Sequence, residues 1–276
     1  MDSLKFSVAM SVYKSDNAEH FDRALCSITE EQSVKPDEIV LVVDGPVSED
    51  IDTVIAKYSE KYGIFKVVRL EKNGGLGNAL RIAVENCSHE LVARMDSDDV
   101  SISTRFEEQL EYMCENDVDI VGGHISEFVG EESNLVSRRD VPLNDENIKA
   151  YMKSRCAFNH MTVMFKKSAV QSVGGYLDWH YNEDYYLWLR MMKAGCSFAN
   201  LDRVFVNVRV GSEMYQRRGG IKYFKSEAKL QGFMLKNKII SFPKYMINVN
   251  KRLVVQVLLP NKLRGWVFKK FARKTV

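Results

Sequence analysis

A chain of 276 residues, 45% hydrophobic and 11% aromatic, can bury a full core and lacks the composition of a disordered protein. Its five cysteines are odd in number and widely spaced, without a Cys-x-x-Cys pair, which argues against a disulfide framework and a zinc site. No stretch reaches the roughly 18 apolar residues of a membrane span, and the first residues do not form a signal peptide. We therefore expect a protein of the reducing cytosol.

The net charge of +2 conceals a strong asymmetry along the chain. From Arg217 to the end there are 16 lysines and arginines and one acid, Glu227, so these 60 residues carry +15. The first 216 residues therefore carry −13. This difference predicts an acidic body, residues 1–216, and a basic C-terminal extension, residues 217–276.

Predicted strands and helices alternate at short spacing in the first half of the chain. The predicted strands are 6–12, 38–43, 65–70 and 90–95, and the predicted helices are 22–33, 51–62 and 79–86. Further on, two short strands are expected at 119–123 and 162–165, and a helix at 183–193. The pattern predicts an α/β fold in which a mostly parallel, twisted sheet with right-handed crossovers is flanked by helices.

Three polar segments follow predicted strands: Asp44, the glycine-rich segment 73–78, and the acidic segment 96–99. Ligands of such sheets bind beyond the carboxyl ends of the strands, so we expect these segments to converge on one rim.

The acidic segment places Asp96, Asp98 and Asp99 within four positions. Crowding of like charges is costly, and a divalent cation relieves it. Oxygen ligands suit Mg²⁺ or Mn²⁺, whose shell substrate phosphates and water complete. The alternative is an acidic turn that caps a helix beginning near Thr104.

The glycine-rich segment, Asn73 to Asn78, lies between a predicted strand and a helix. Its backbone N–H groups can approach a phosphate, and its polar flanks, Asn73, Asn78 and Arg81, favour a ligand-facing loop. A glycine-rich turn without a ligand is the alternative. Asp44 either accepts hydrogen bonds from a base or ribose, or closes a turn with Gly45.

Each of the other candidate residues has a structural role as the alternative to a functional one. Glu183 and Asp184 either cap a helix or include a general base. His160 either contacts a metal or phosphate, or is structural. Arg217 and Arg218 either bind a diphosphate, or form a solvated basic turn.

The basic tail alternates cations with apolar residues from Lys244 onward. Four apolar side chains would share one helical face: Leu263, Trp266, Val267 and Phe271. This pattern is typical of a helix at an anionic membrane interface, and packing on the catalytic domain is the alternative. We do not expect nucleic-acid binding, because the acidic body would repel phosphate chains.

The order of these motifs resembles family-2 glycosyltransferases with a GT-A fold, over roughly residues 6–220. The segments 158–165, 173–176 and 217–220 resemble the bacterial branch that builds O-antigen and exopolysaccharide repeat units. The resemblance implies an inverting, metal-dependent hexosyltransferase, peripheral on the inner face of the cytoplasmic membrane. It implies a donor such as UDP-Gal or UDP-Glc, an acceptor such as GlcNAc-diphospho-undecaprenol, and a β linkage.

The resemblance also implies roles for particular residues. Asp184 would be the catalytic base with Glu183 beside it, and Asp96, Asp98 and Asp99 would hold the metal. Nucleotide-sugar contacts are expected from Ser11, Tyr13, Asp44, Asn73, Gly75, Asn78, Arg81, Asp96, Ser97 and Asp98. Contacts with the acceptor or a diphosphate are expected from His160, Trp188, Arg217 and Arg218.

Two other functions are alternatives to a glycosyltransferase. A sugar nucleotidyltransferase shares the α/β sheet and the metal, but it normally carries a glycine-rich loop after its first strand, and here the first glycine is Gly45. A non-enzymatic membrane-surface or nucleic-acid binding protein would use the basic tail above a degenerate body. The presence of Asp98 and Asp184 argues against such degeneration.

Overall fold

The structure is a computed structural model that describes residues 4–211, 219–260 and 273–274. The strands are β1 (Phe6–Val12), β2 (Glu38–Val43), β3 (Phe65–Arg69), β4 (Leu91–Met95), β5 (Val100–Ser101), β6 (Ile120–Phe128), β7 (Leu135–Arg139), β8 (Met164–Lys166) and β9 (Phe198–Arg209). The helices are α1 (Ala18–Thr29), α2 (Glu49–Lys61), α3 (Leu76–Asn86), α4 (Arg105–Glu115), α5 (Asp145–Met152), α6 (Lys167–Ser172), α7 (Glu183–Ala194), α8 (Ile221–Lys236) and α9 (Phe242–Leu253).

The described strands form one sheet in the order β3-β2-β1-β4-β8-β6-β9-β5, and β7 pairs with β6. The first four of these strands pair in parallel. β8 runs antiparallel to β4 and β6, whereas β6 and β9 are parallel. The predicted α/β fold is therefore confirmed, with a parallel first half and a mixed second half.

The sheet separates two apolar layers, and the apolar run of β2 explains how. Ile39, Leu41 and Val43 point into the layer formed with α1, α2 and α4. Val40 and Val42 point into the layer formed with α3, α5, α7 and α8. Since alternate residues of a strand face opposite sides, a continuous branched run buries both faces. Each such side chain contributes about 1.5–3 kcal/mol when fully buried.

Two helices begin three or more residues before the position that the hydrophobic spacing predicts. α1 begins at Ala18 rather than near residue 22, because the Asn17 side chain accepts a hydrogen bond from the His20 N–H at 3.0 Å. α3 begins at Leu76, inside the glycine-rich segment. The start of α3 therefore lies within the candidate binding loop.

The C-terminal helices pack on the α/β body. Leu230 and Met234 of α8 are fully buried in the same apolar layer as Trp188. The boundary expected after residue 216 and the tail residues Leu263 to Phe271 lie outside the described residues. Among the helices that are described, none has the length and apolar character that crossing a bilayer requires.

Candidate active site

The loops that follow β1, β2 and β4 leave the sheet at one edge. Val12 pairs with Val43 in β2, and Met10 pairs with Met95 in β4. In parallel strands this register places Asp44 and the acidic segment beside the end of β1. The convergence predicted from the sequence is thus present in the fold.

The acidic segment gathers three carboxylates in space as well as in sequence. Oxygen atoms of Asp96, Asp98 and Asp99 lie within 4.8 Å of one another. Asp99 is buried, and its Oδ1 accepts a hydrogen bond from the Arg209 N–H at 3.0 Å. Asp98 is exposed, so the cluster is open on one side.

The surroundings of the cluster penalise its negative charge. Burial raises the pKa of Asp99 well above its ordinary value, and the charges of Asp98 and Asp96 add to this. Asp98 keeps a solvent-facing edge, yet desolvation by the surrounding protein, followed by the charges of Asp96 and Asp16, raises its pKa to about 6. A divalent cation offsets such repulsion, and carboxylate oxygens are ligands that Mg²⁺ and Mn²⁺ prefer. The cluster therefore fits a divalent metal.

Arg94 is a cation within the apolar run of β4. Its side chain is 2% exposed and forms an ion pair with Asp96. Its Nε and Nη1 atoms have no hydrogen-bond partner among the described residues. The charge of Arg94 also counteracts the rise in the pKa of Asp98, in the loop after β4, and of Asp184, in the first turn of α7. Arg94 thus links the two acidic groups of the site electrostatically.

Asp16 is a fourth carboxylate at this edge. Its Oδ2 accepts hydrogen bonds from the Ser97 hydroxyl at 2.8 Å and the Tyr13 N–H at 3.0 Å. Burial raises the pKa of Asp16, and the charge of Asp96 contributes. Tyr13 and Ser97, both expected at the nucleotide, therefore lie beside the acidic cluster, and Ser11 follows Met10, which pairs with Met95 at the end of β4.

Asp44 organises the glycine-rich loop. Its two carboxylate oxygens accept the N–H groups of Gly74 at 2.7 Å and Gly75 at 3.0 Å, and the Asn73 amide donates to its carbonyl at 3.2 Å. In this conformation Asp44 accepts the N–H groups of Gly74 and Gly75, and the approach of a phosphate to the glycine-rich segment stays a prediction. A Cβ on Gly45 would lie 2.7 Å from the Asn73 nitrogen, so only glycine permits this approach.

The loop opens on a cavity of about 350 Å³. Gly75, Asn78 and Arg81 line it together with Glu183. Arg81 donates to the Asn78 side chain at 2.9 Å and pairs with Glu85 at 2.8 Å. The predicted polar flank of the loop therefore faces the same region as the start of α7.

Glu183 and Asp184 occupy the first turn of α7, where the helix N terminus favours acidic side chains. Both line a larger cavity of about 850 Å³, whose other walls include α9 and residues around Arg155. The Cys156 thiol lies 3.8 Å from Asp184 Oδ2. Cavities of this size accommodate small-molecule ligands, and a carboxylate on the wall can reach a substrate hydroxyl.

Burial acts on the pKa of both neighbouring acids. Burial, followed by the charge of Asp184, raises the pKa of Glu183 to about 7. Burial also raises the pKa of Asp184, and a hydrogen bond from the Tyr185 N–H and the charge of Arg94 counteract this rise.

His160 and Trp188, both expected at the acceptor or a diphosphate, differ in their access to the cavity. His160 Nε2 lies 2.7 Å from the Tyr176 hydroxyl, and burial together with the charge of Arg94 lowers its pKa well below the ordinary value. It lines the cavity as an uncharged imidazole, which is a poor partner for phosphate. Trp188 is fully buried against Phe158, so it cannot contact an acceptor directly.

Several residues of the site were missed in the sequence. Arg94 had a detectable signal, a cation in the middle of a buried strand, whereas Asp16 and Arg209 lie far from the acidic segment along the chain. Only the fold brings Asp16 and Arg209 to the acidic segment. Arg217 and Arg218 lie outside the described residues, so their assignment stays a prediction.

Comparison with known proteins agrees with this geometry. Residues 7–174 match the model of Glycosyl transferase family 2, and residues 91–259 match that of Glycosyl transferase family group 2. The chain is 39% identical to UDP-Gal:alpha-D-GlcNAc-diphosphoundecaprenol beta-1,3-galactosyltransferase of Escherichia coli, covering 99% of this chain and 98% of that protein. It is 38% identical to the amylovoran biosynthesis glycosyltransferase AmsE of Erwinia amylovora, covering 96% and 98%.

The fold is shared with a solved glycosyltransferase. The structure of S. aureus TarS 1–349 in complex with UDP-GlcNAc matches with a TM-score of 0.68 at 17% identity, covering 97% of this chain and 76% of that chain. The GT-A fold expected from the motif order is thereby confirmed. With its family model, its full-length relatives and its fold in agreement, this chain belongs to glycosyl transferase family 2.

Proposed function

We propose that this chain transfers galactose from UDP-galactose to a lipid-diphosphate-linked GlcNAc, with inversion to a β linkage, during assembly of a bacterial surface polysaccharide. The observation that carries this proposal is the 39% identity, over nearly the whole of both chains, to a galactosyltransferase whose name specifies that donor and acceptor. Glu183 and Asp184 on a cavity of about 850 Å³ supply the matching chemistry.

Asp184 acts as the general base in this mechanism. The acceptor hydroxyl attacks the anomeric carbon of the α-linked donor, a C–O bond forms on the opposite face, and the hydroxyl proton moves to the Asp184 carboxylate. UDP departs with the electron pair of the broken bond. Glu183, with its pKa near 7, is about half neutral at physiological pH, which limits the negative charge beside Asp184.

Asp96, Asp98 and Asp99 are the residues that would hold Mn²⁺ or Mg²⁺. When bound, the cation offsets the charge that develops on the leaving diphosphate. Arg94 keeps Asp96 in place through their ion pair. Asp44, through its bonds to Gly74 and Gly75, fixes the loop beside the nucleotide-sugar site.

We further propose peripheral attachment to an anionic membrane surface, where a lipid-linked acceptor resides. The C-terminal helix α9 supports this, because it exposes the apolar side chains of Phe242, Met246 and Ile247. Exposed apolar side chains on one helix suit the headgroup region of a bilayer.

A donor panel tests the proposed reaction. The protein is incubated with a GlcNAc-diphosphate-lipid analogue and labelled UDP-Gal, UDP-Glc, UDP-GlcNAc or GDP-mannose, with Mn²⁺, Mg²⁺ or EDTA. We expect galactosyl transfer to dominate and to be lost in EDTA. Dominant transfer from another donor would contradict the galactose assignment, and undiminished transfer in EDTA would contradict the metal requirement.

A further inference from the structure

The cavity of about 850 Å³ beside α7 carries more cations than acids on its walls. Two of its acids already have local partners. Glu227 forms an ion pair with Arg252, and Glu127 forms an ion pair with Arg273. The remaining acids of the wall are the two carboxylates at the start of α7. The acids of the cavity wall therefore do not neutralise all of its cations.

Three cations of this wall have no side-chain partner among the described residues. Within residues 4–211, 219–260 and 273–274, the side chains of Arg155, Lys244 and Lys251 have neither an ion pair nor a hydrogen bond. Arg139 differs, since its Nη2 donates to the Cys156 carbonyl at 2.8 Å. Gathering unpaired cations in one concave site is unfavourable unless an anion joins them. A group with several acceptor oxygens is the anion that such donors suit.

Two of the three cations lie on one face of α9. Lys244, Asn248 and Lys251 are spaced four and three residues apart, and all three line the cavity. Asn248 is 4% exposed, and its amide donates to the Gln231 side chain at 2.8 Å. This buried hydrogen bond fixes the rotation of α9 so that both lysines face the cavity.

The third cation is tied to the same helix. The Asn248 amide also donates to the Lys153 carbonyl at 3.0 Å, and Arg252 donates to the Ser154 carbonyl at 2.7 Å. These bonds fasten α9 to the segment that leads into Arg155. These hydrogen bonds therefore hold the backbone that carries the three unpaired cations as one wall of the cavity, and the side chains of Lys244 and Lys251 are exposed on that wall.

We propose that Arg155, Lys244 and Lys251 bind the diphosphate of the lipid-linked acceptor. This inference rests on the proposed function, because it assigns a diphosphate-bearing acceptor to the cavity that contains Asp184. The donor diphosphate is not the ligand of this wall, since Asp96, Asp98 and Asp99, with the divalent metal they would hold, would serve it. A membrane phospholipid offers the same phosphate chemistry, so the test separates the two sources.

Equilibrium binding without a sugar donor provides the test. The probes are a water-soluble α-GlcNAc-diphospho-alkyl analogue and the matching alkyl α-GlcNAc glycoside, which lacks phosphate. We expect Lys251→Met to raise the Kd of the diphosphate analogue roughly tenfold, and the triple Met variant of the three cations to raise it at least about 100-fold. The ratio of the two ligands' affinities should fall by the same factors.

Lys225→Met is the matched control, because Lys225 is exposed in the middle of α8 and does not line the cavity. It should bind the diphosphate analogue as the wild type does. UDP binding in Mn²⁺ verifies that each variant is folded. Since no transfer is measured, failure of the galactosyltransferase reaction cannot be mistaken for failure of this site. Equal affinity of wild type and triple variant for the analogue would overturn the proposal.

Sedimentation with vesicles distinguishes the acceptor from the membrane. Wild type and triple variant are mixed with vesicles of phosphatidylglycerol and phosphatidylcholine that contain no acceptor. Similar sedimentation of both, together with the lost affinity for the analogue, supports an acceptor site. Loss of sedimentation with unchanged affinity for the analogue would instead assign the three cations to phospholipid headgroups and overturn the proposal.

Discussion

Burial raises the pKa of both neighbouring carboxylates at the start of α7. It raises the pKa of Glu183 to about 7, and for Asp184 a hydrogen bond from the Tyr185 N–H counteracts the rise. Two adjacent like charges also disfavour ionisation of both acids together. The sequence identifies both acids, but the rise in their pKa depends on burial, which only the fold determines.

Glu183→Gln should therefore stabilise the metal-free protein in a pH-dependent manner. Glu183 has a pKa near 4.5 when unfolded and about 7 when folded, so the folded state holds the extra proton and its stability falls as pH rises through 7. Glutamine does not titrate, so the variant should gain about 2 kcal/mol of unfolding free energy relative to wild type between pH 5 and pH 8. Urea unfolding at both pH values measures this.

Glu60→Gln, on the exposed face of α2, is the matched control for that measurement. Its stability relative to wild type should be similar at pH 5 and pH 8. If Glu183→Gln behaves in the same way as this control, the raised pKa of Glu183 is wrong.

At the scale of elements, the loop after β2 and the loop before α3 form one unit. The sequence predicts that both lie at the rim of the sheet, because each follows a strand. It does not predict that the Asp44 carboxylate would take the two N–H groups offered by Gly74 and Gly75, since that bond joins residues thirty positions apart. In the structure an internal anion, Asp44, accepts these two N–H groups, and a phosphate contact of the loop stays a prediction.

Gly45→Ala should disrupt this unit. Gly45 has φ +87°, and a Cβ would meet the Asn73 backbone nitrogen at 2.7 Å, so alanine is strained in two ways. We expect a loss of about 1–3 kcal/mol in unfolding free energy and weaker binding of UDP. Thermal unfolding and UDP titration measure the two effects.

Gly63→Ala is the matched control, because a Cβ there has open space and its φ lies outside the left-handed region. Its stability should change by no more than about 1 kcal/mol. Equal effects of the two substitutions would show that the contact between the loops does not matter.

At the scale of the whole molecule, helix α8 of the basic C-terminal extension shares the core of the acidic body. The charge asymmetry predicts the extension, but charge reports only on surface residues. Apolar residues, Leu230 and Met234, dock α8 on the body. The predicted membrane-facing residues Leu263 to Phe271 lie outside the described residues, whereas α9 exposes apolar side chains.

Replacing those side chains should weaken membrane attachment. Phe242, Met246 and Ile247 are 61%, 43% and 49% exposed, so serine at all three positions removes apolar surface without opening the core. We expect sedimentation with anionic vesicles to weaken at least about tenfold, given about 1 kcal/mol or more per apolar side chain. A triple serine variant at Leu135, Leu143 and Leu177, which are also exposed, should sediment as wild type does. Equal loss for both sets would contradict a membrane contact through α9.

We propose that Asp184 takes the proton of the acceptor hydroxyl in an inverting galactosyl transfer. The most direct test is Asp184→Asn, with UDP-galactose binding and the initial rate of transfer to the GlcNAc-diphosphate-lipid analogue measured on the same preparation. We expect donor binding within about twofold of wild type and a transfer rate at least about 1,000-fold lower, as loss of a general base requires. A variant that binds the donor and still transfers galactose at near wild-type rate would contradict it.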